Sequence, residues 1–356
     1  MHRHPMKILL FSHVHNQNRL KISMIEFIKN MPKVELHMHV EGSMDAKMLW
    51  KLAHKNNYKL KYNSVEELVK AYKFNNLTEF IEMYMLGTRV IQSEQDLYDV
   101  CMNYFQTCVE QNIRHTEVHC DIRTYVDYGY PAEFVINALH GAFTDAKKNY
   151  GITGGFMPCF IRHLGNDVAQ KDLELLLPHK EKILAIGLSA VEVPYPPSLF
   201  KDTFKKVHDA GIKVIAHAGE EGPPEYIWSA IKDIQVDRID HGVRCLEDDK
   251  LVDYLVETQI PLTVCPCSNV ALKVFDSLSQ HTLPIMLKKG LNVCINSDDP
   301  AHFGANLNEN MIGIAENTTI GKNEIIHMAK NAINGSFADQ ARKDELLSEL
   351  SDYKLS

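Results

Sequence analysis

Four short groups of ionisable residues each close an apolar run of the chain: His37-Met38-His39, His217-Ala218-Gly219-Glu220, Asp240-His241-Gly242 and Ser297-Asp298-Asp299-Pro300. Side chains two apart on an extended segment project to the same face, so His37 and His39 are spaced to grip one ion. Imidazole nitrogens and carboxylate oxygens at roughly 2.0–2.2 Å suit zinc, and three or more protein ligands with a position left for water make a catalytic site rather than a closed structural one. On this reading His37, His39, His217 and Asp298 are the metal ligands. No paired thiolate accompanies them, which argues against a cysteine-type structural zinc. Taken singly, each group has an ordinary explanation: a buried histidine is satisfied by hydrogen bonds, a His before Gly caps a turn, and Asp-Asp-Pro starts a helix. Gathered at the same end of four strands, they would carry a large desolvation cost unless a cation or a proton-sharing network satisfied them.

The elements that must position these groups follow one rhythm. Strand candidates fall at 34–40, 115–120, 155–161, 183–188, 213–218, 238–241, 261–266 and 291–296, with helical three-and-four spacing between them. Continuous apolar strands separated by helices imply a parallel sheet covered on both faces, and eight such units imply an α/β fold, a closed (β/α)8 TIM barrel. The stretch from about 44 to 112 reads as several helices inserted after strand 1, and the region after 305 as two or three extra C-terminal helices outside the barrel. Residues 1–23 are expected to be a disordered extension or an upstream-start artefact, and 24–356 a single barrel domain.

Composition narrows the partners. The 356 residues are 45% hydrophobic and 24% charged, enough for a large core, and their net charge is −8. With its basic residues scattered, the chain offers no patch to track a phosphate backbone, so nucleic acid is not an expected partner. No apolar run approaches the roughly 20 residues of a membrane span. The eight cysteines sit singly in apolar segments without a C-x-x-C pair, as reduced core thiols of a cytoplasmic protein would. Cys265-x-Cys267 is read as strand packing, Pro223 and Pro224 as helix entry, and the phosphate-friendly look of "GEEGPPEYIW" is countered by Glu220 and Glu221. "AYKFNNLTEFIEMYMLGT" reads as helical core, with Phe74 or Phe80 a candidate pocket lid.

The segments "ELHMHVEG", "HAGEEGPPEYIW", "RIDHGVR", "IPLTVCPCSN" and "NSDDPAHFG" resemble, in order and spacing, the adenosine/adenine deaminase family of metal-dependent hydrolases, over about Met24 to the C-terminus. "HVEG" and "AYKFNNLTEF" resemble its adenine deaminase branch. The resemblance implies roles: Glu220 as proton donor to the purine ring, His241 as activator of the attacking water, and Asp299 as a contact to that water and to substrate. It also implies one zinc ion, with other divalent transition metals as substitutes, and adenine converted to hypoxanthine and ammonia in purine salvage. A single metal is favoured because "AIGLSAVEVPYPP", at the end of strand 4, carries no lysine to bridge two. Glu41 stands where adenosine deaminases have a shorter Asp, and is read with Ser189, Glu220 and Asp299 as contacting a 6-aminopurine.

Two departures from the branch lie at the barrel mouth: Gly187-Leu188-Ser189 in place of G-L-D, and Asp121-Ile122-Arg123-Thr124-Tyr125 in place of D-P-Q-T-H. They keep adenosine or an N6-substituted adenine open as the substrate. A barrel that binds purine without catalysis would be expected to lack an acid–base residue, and none is missing here.

Overall fold

A computed structural model describes residues 23–73 and 77–355. The expected extension at 1–23 therefore lies, apart from Ser23, outside the described residues, as does Phe74. Eight strands run in order around one sheet: β1 (Lys33–His39), β2 (Ile113–Cys120), β3 (Thr153–Ile161), β4 (Ala185–Ser189), β5 (Lys213–Ala218), β6 (Arg238–His241), β7 (Leu262–Val264) and β8 (Val293–Ile295). Every neighbouring pair is parallel, and helices cross between successive strands. This is the (β/α)8 barrel expected from the apolar rhythm.

The barrel closes where β1 meets the end of β8. Asp298 N donates to His37 O at 3.0 Å and His39 N donates to Asp298 O at 2.8 Å, forming a parallel bridge between Met38 and Asp298. Lower on the seam the Asn296 side chain takes the place of a ladder bond, its Oδ1 accepting from Leu36 N at 2.8 Å. Barrel closure thus inserts one ionisable residue between two others.

β7 and β8, three residues each, are half the length of the apolar runs at 261–266 and 291–296. β7 stops at Val264 because Pro266, which has no N–H to give a ladder, opens the helix Pro266–Ala271. Cys267 consequently lies on that helix and not on the strand, while Cys265 is buried just before it. The insertion after β1 contains the helices Ala46–Lys55, Val65–Ala71, Leu77–Val90 and Glu94–Glu110. Asp45, Ser64 and Ser93 start three of them, each side chain accepting from a backbone N–H three residues on. After β8, three longer helices follow, Leu307–Asn317, Lys322–Gly335 and Gln340–Leu355, and Lys322–Gly335 lies against β8 and β1. Among the described residues, no helix is long and apolar enough to cross a membrane.

Inside the barrel, alternation along each strand builds two layers. Met157, Ala185 and Ile215 fill the lower one with Phe337, beside Glu117 on β2 and Arg238 on β6. Two residues further along the same strands, His119, His217 and Asp240 enter the upper layer at the C-terminal mouth.

Candidate metal centre and active site

The four residues read as ligands come together. Asp298 Oδ1 lies 3.5 Å from His37 Nε2 and 3.4 Å from His39 Nε2, and His39 Nε2 is 3.2 Å from His217 Nε2. One donor atom from each of the four lies within 4.8 Å of all the others, and all four residues are buried. His37 Nε2 has no hydrogen-bond partner despite complete burial. Three imidazole nitrogens and one carboxylate oxygen, turned toward each other with too few protons to satisfy them, fit a divalent transition metal.

The imidazoles are aimed by groups behind them. His37 Nδ1 lies 3.0 Å from Thr263 Oγ1, and Thr263 Oγ1 donates to Asp240 Oδ1 at 2.8 Å. Asp240 Oδ2 also stands 3.2 Å from His217 Nδ1 and 3.0 Å from His119 Nε2. With the Thr263 hydroxyl on His37 Nδ1 and the Asp240 carboxylate beside His217 Nδ1, Nε2 of each ring faces the common point, the usual arrangement of metal-bound histidines. Ser268 Oγ donates to Asp298 Oδ2 at 2.6 Å, which leaves Oδ1 toward the histidines. Asp298 (φ 64°) and His241 (φ 66°) both hold the left-handed backbone region, uncommon outside glycine and found where surrounding structure overrules local preference.

A cavity of about 510 Å³ opens over this cluster. His39, His217, Glu220, His241, Asp298 and Asp299 form its inner end. Phe80, Ile81, Tyr84 and Met85, from the helix Leu77–Val90, form one wall, and Ser189 at the end of β4 with Ala190 and Val191 beyond it form another. Phe80 thus lines the pocket as one of the two aromatic lid candidates. Burial, reinforced by the negative charges of Asp298, Glu192 and Glu221, holds the Glu220 carboxyl well above the usual range, although Asn269 Nδ2 donates to its Oε1 at 3.0 Å. His241 Nε2 lies 3.4 Å from Glu220 Oε2. Asp299 is buried with Oδ1 unpartnered, and burial and the neighbouring Asp298 push its carboxyl up as well. A Cβ on Gly42 would fall 1.8 Å from that oxygen, so the glycine of "HVEG" makes room for Asp299.

The chain places Glu41 off the cavity wall. It is buried, and its Oε1 accepts from Asp121 N at 3.1 Å, while Asp121 itself lines the cavity and accepts from the Tyr84 hydroxyl at 3.2 Å. Sequence reasoning missed Asp240 as the group orienting the histidines, along with His119, Thr263, Ser268 and Asn269. Their available signal was position: each lies on an inward-facing site of β2, β6 or β7, or on the first helical turn beyond β7.

The chain is similar to known proteins over most of its length. A family model described as adenosine deaminase matches residues 32–353. The chain belongs to the adenosine deaminase family. An adenine deaminase of Hahella chejuensis is 44% identical over 330 residues, 93% of this chain and 99% of that protein. One from Acinetobacter baylyi is 42% identical over 325 residues, 91% of this chain and 98% of its own length. The crystal structure of an adenine deaminase from Arthrobacter aurescens superposes with a TM-score of 0.88 at 38% identity, covering 92% of this chain and all of that one. Like the rest of the family, this chain is a hydrolase acting on carbon–nitrogen bonds.

Proposed function

We propose that the chain converts adenine to hypoxanthine and ammonia, using one zinc ion held by His37, His39, His217 and Asp298, as a purine-salvage enzyme of the cytoplasm. The observation that carries this reading is the convergence of those four donors at the inner end of a cavity that Glu220, His241 and Asp299 also face. A zinc ion held by these four residues would lower the pKa of a water to about 7 and so supply a nucleophile at neutral pH.

The chain's own groups then have distinct tasks. Attack at C6 of the purine drives electron density onto N1, and a carboxyl kept protonated by its pocket relieves that charge. Glu220 meets the requirement, with Asn269 engaging Oε1 and leaving Oε2 to carry the proton. His241 and Asp299, flanking the same inner end, take the proton from the attacking water and pass it to the departing amine. Ser189 and Asp299 bound the purine, and Glu41 acts on the pocket by holding the Asp121 backbone.

The reading predicts a much higher kcat/KM for adenine than for adenosine on zinc-loaded protein, measured by hypoxanthine or inosine formation; comparable values would reject it. The cavity favours a second reading. At about 510 Å³ it has the size of sites for drug-sized ligands and exceeds what a bare purine fills. N6-methyladenine therefore belongs in the same screen, with hypoxanthine and methylamine as its products. Stoichiometric zinc without turnover of any 6-aminopurine would point instead to a purine-binding barrel.

A further inference from the structure

We infer that Glu192 is a positioning residue for Glu220, and that it does so by filling an anion nest made of four consecutive backbone N–H groups. The inference rests on the proposed role of Glu220 as proton donor. Glu192 lies in the segment after β4, between the exposed Val191 and Val193, yet it is only 3% exposed because its side chain turns inward. Its Oε1 accepts from Gly219 N at 2.6 Å. Its Oε2 accepts from Glu220 N at 3.1 Å, Glu221 N at 2.9 Å and Gly222 N at 2.8 Å. Successive backbone N–H groups that converge in this way form the concave donor sites that bind phosphate and other anions. The sequence "GEEGPPEYIW" looks like such a site, and here the occupant is a carboxylate of the same chain.

The fit is close on both sides. A Cβ on Gly222 would sit 2.5 Å from Glu192 Oε1, so glycine is needed for the loop to wrap the carboxylate. The same strand ends are tied from beneath by buried Arg162, whose guanidinium donates to the carbonyls of Leu188, Tyr195 and the metal ligand His217. Glu192 therefore joins two walls of the cavity: the β4 segment bearing Ser189 to Val191, and the β5 loop bearing Glu220. All four donors belong to the backbone of 219–222, so what the carboxylate fixes is the path of that loop and hence the origin of the Glu220 side chain. Displacing an acid–base group by about 1 Å costs on the order of 10²-fold in rate.

The test uses the zinc-loaded full chain with Glu192→Gln, Glu220→Gln and the double variant. The Gln side chain keeps the shape but turns an NH2 toward N–H donors. We expect the zinc content of Glu192→Gln to match wild type, the peptide containing 219–222 to exchange its amide hydrogens faster, and kcat and kcat/KM on adenine to fall together by about 10- to 100-fold. On the Glu220→Gln background, Glu192→Gln should cost no more than about a further twofold, because it acts through a side chain already disabled. Glu192→Asp, one methylene short but still acidic, should recover part of the loss. Unchanged exchange at 219–222, or penalties that multiply in the double variant, would overturn the inference. If wild type turns over no 6-aminopurine, the substrate reading falls, and the exchange experiment still decides whether Glu192 holds the loop.

Discussion

β2 and β6 face each other across the barrel twice, two residues apart, and the two meetings differ. In the lower layer Glu117 on β2 meets Arg238 on β6, Oε2 to Nη1 at 2.5 Å, and both side chains are buried. Glu117 Oε1 also stands 3.1 Å from His115 Nε2 and accepts from Phe337 N, while Arg238 donates to Leu36 O and lies over the Phe337 ring. In the upper layer His119 meets Asp240, and unpartnered buried atoms gather around them: His119 Nδ1, His37 Nε2, His241 Nε2 and Asp299 Oδ1. A folded chain that leaves buried polar groups unpaired forgoes stability on the order of 1–3 kcal/mol for each. The lower layer avoids most of that cost within its own sequence. The upper layer can recover it only from something that binds, which separates a structural charge cluster from a functional one built on the same strands.

Removing the metal should produce the largest effect. Chelation should take hypoxanthine formation to background and zinc should restore it, while thermal unfolding shifts upward with zinc, by about 2.7 kcal/mol at a hundredfold excess over Kd. His37→Ala should abolish that shift. A zinc response that survives His37→Ala would place the ion elsewhere and dissolve the contrast between the layers. Next comes Glu220→Gln, expected to lower kcat by about 10²- to 10⁴-fold with the unfolding temperature unchanged or raised, since an amide replaces a carboxyl that burial disfavours in its charged form. A rate loss below tenfold would remove Glu220 from the role of proton donor.

The lower layer should answer in the opposite currency. Arg238→Met strands the Glu117 carboxylate, at a cost of about 3–5 kcal/mol in unfolding free energy, with kcat per folded molecule unchanged. Denaturant titration and active-site-normalised rates check both halves. A fall in kcat at full occupancy of the folded state would show that the layers are coupled and that the comparison draws its line in the wrong place.

Much of this was legible in sequence, for physical reasons that also set its bounds. All eight strands show as apolar runs because a parallel sheet buried on both faces needs them. His37, His39, His217 and Asp298 show because ionisable groups at the end of an apolar run demand an explanation. Asp240 is inconspicuous because a single carboxylate beside a conspicuous histidine looks like part of a turn, and its service to His37, His119 and His217 depends on three other strands. Glu192 is hidden for a similar reason: its four partners are backbone N–H groups, which no side-chain pattern reveals. Glu41, two residues after His39, is turned toward the Asp121 backbone by the short 3-10 turn Glu41–Ser43, which spacing along a strand could not foresee.

The smallest effect expected is in acid, and it isolates the lower layer. Burial pushes the Glu117 carboxyl up, but the Arg238 charge and His115 outweigh it and hold the group at about 2. In the unfolded chain a glutamate titrates near 4.3. Between those values the unfolded state binds the extra proton, so stability rises with pH there. The contribution is complete above about pH 5 and is lost as pH falls toward 2, on the order of 3 kcal/mol at most given about 1.4 kcal/mol per pKa unit. The variant carrying Glu117→Gln with Arg238→Met has neither charge. Urea unfolding of wild type and variant in steps from pH 6 to 3 should therefore give a wild-type-minus-variant stability that falls steadily toward the acid end, because the wild type loses more stability on the way down. Titrating groups of the upper layer are common to both proteins and cancel in the difference. Parallel profiles would mean that the Glu117 carboxyl titrates alike in both states, and the lower layer would then no longer count as a closed charge cluster.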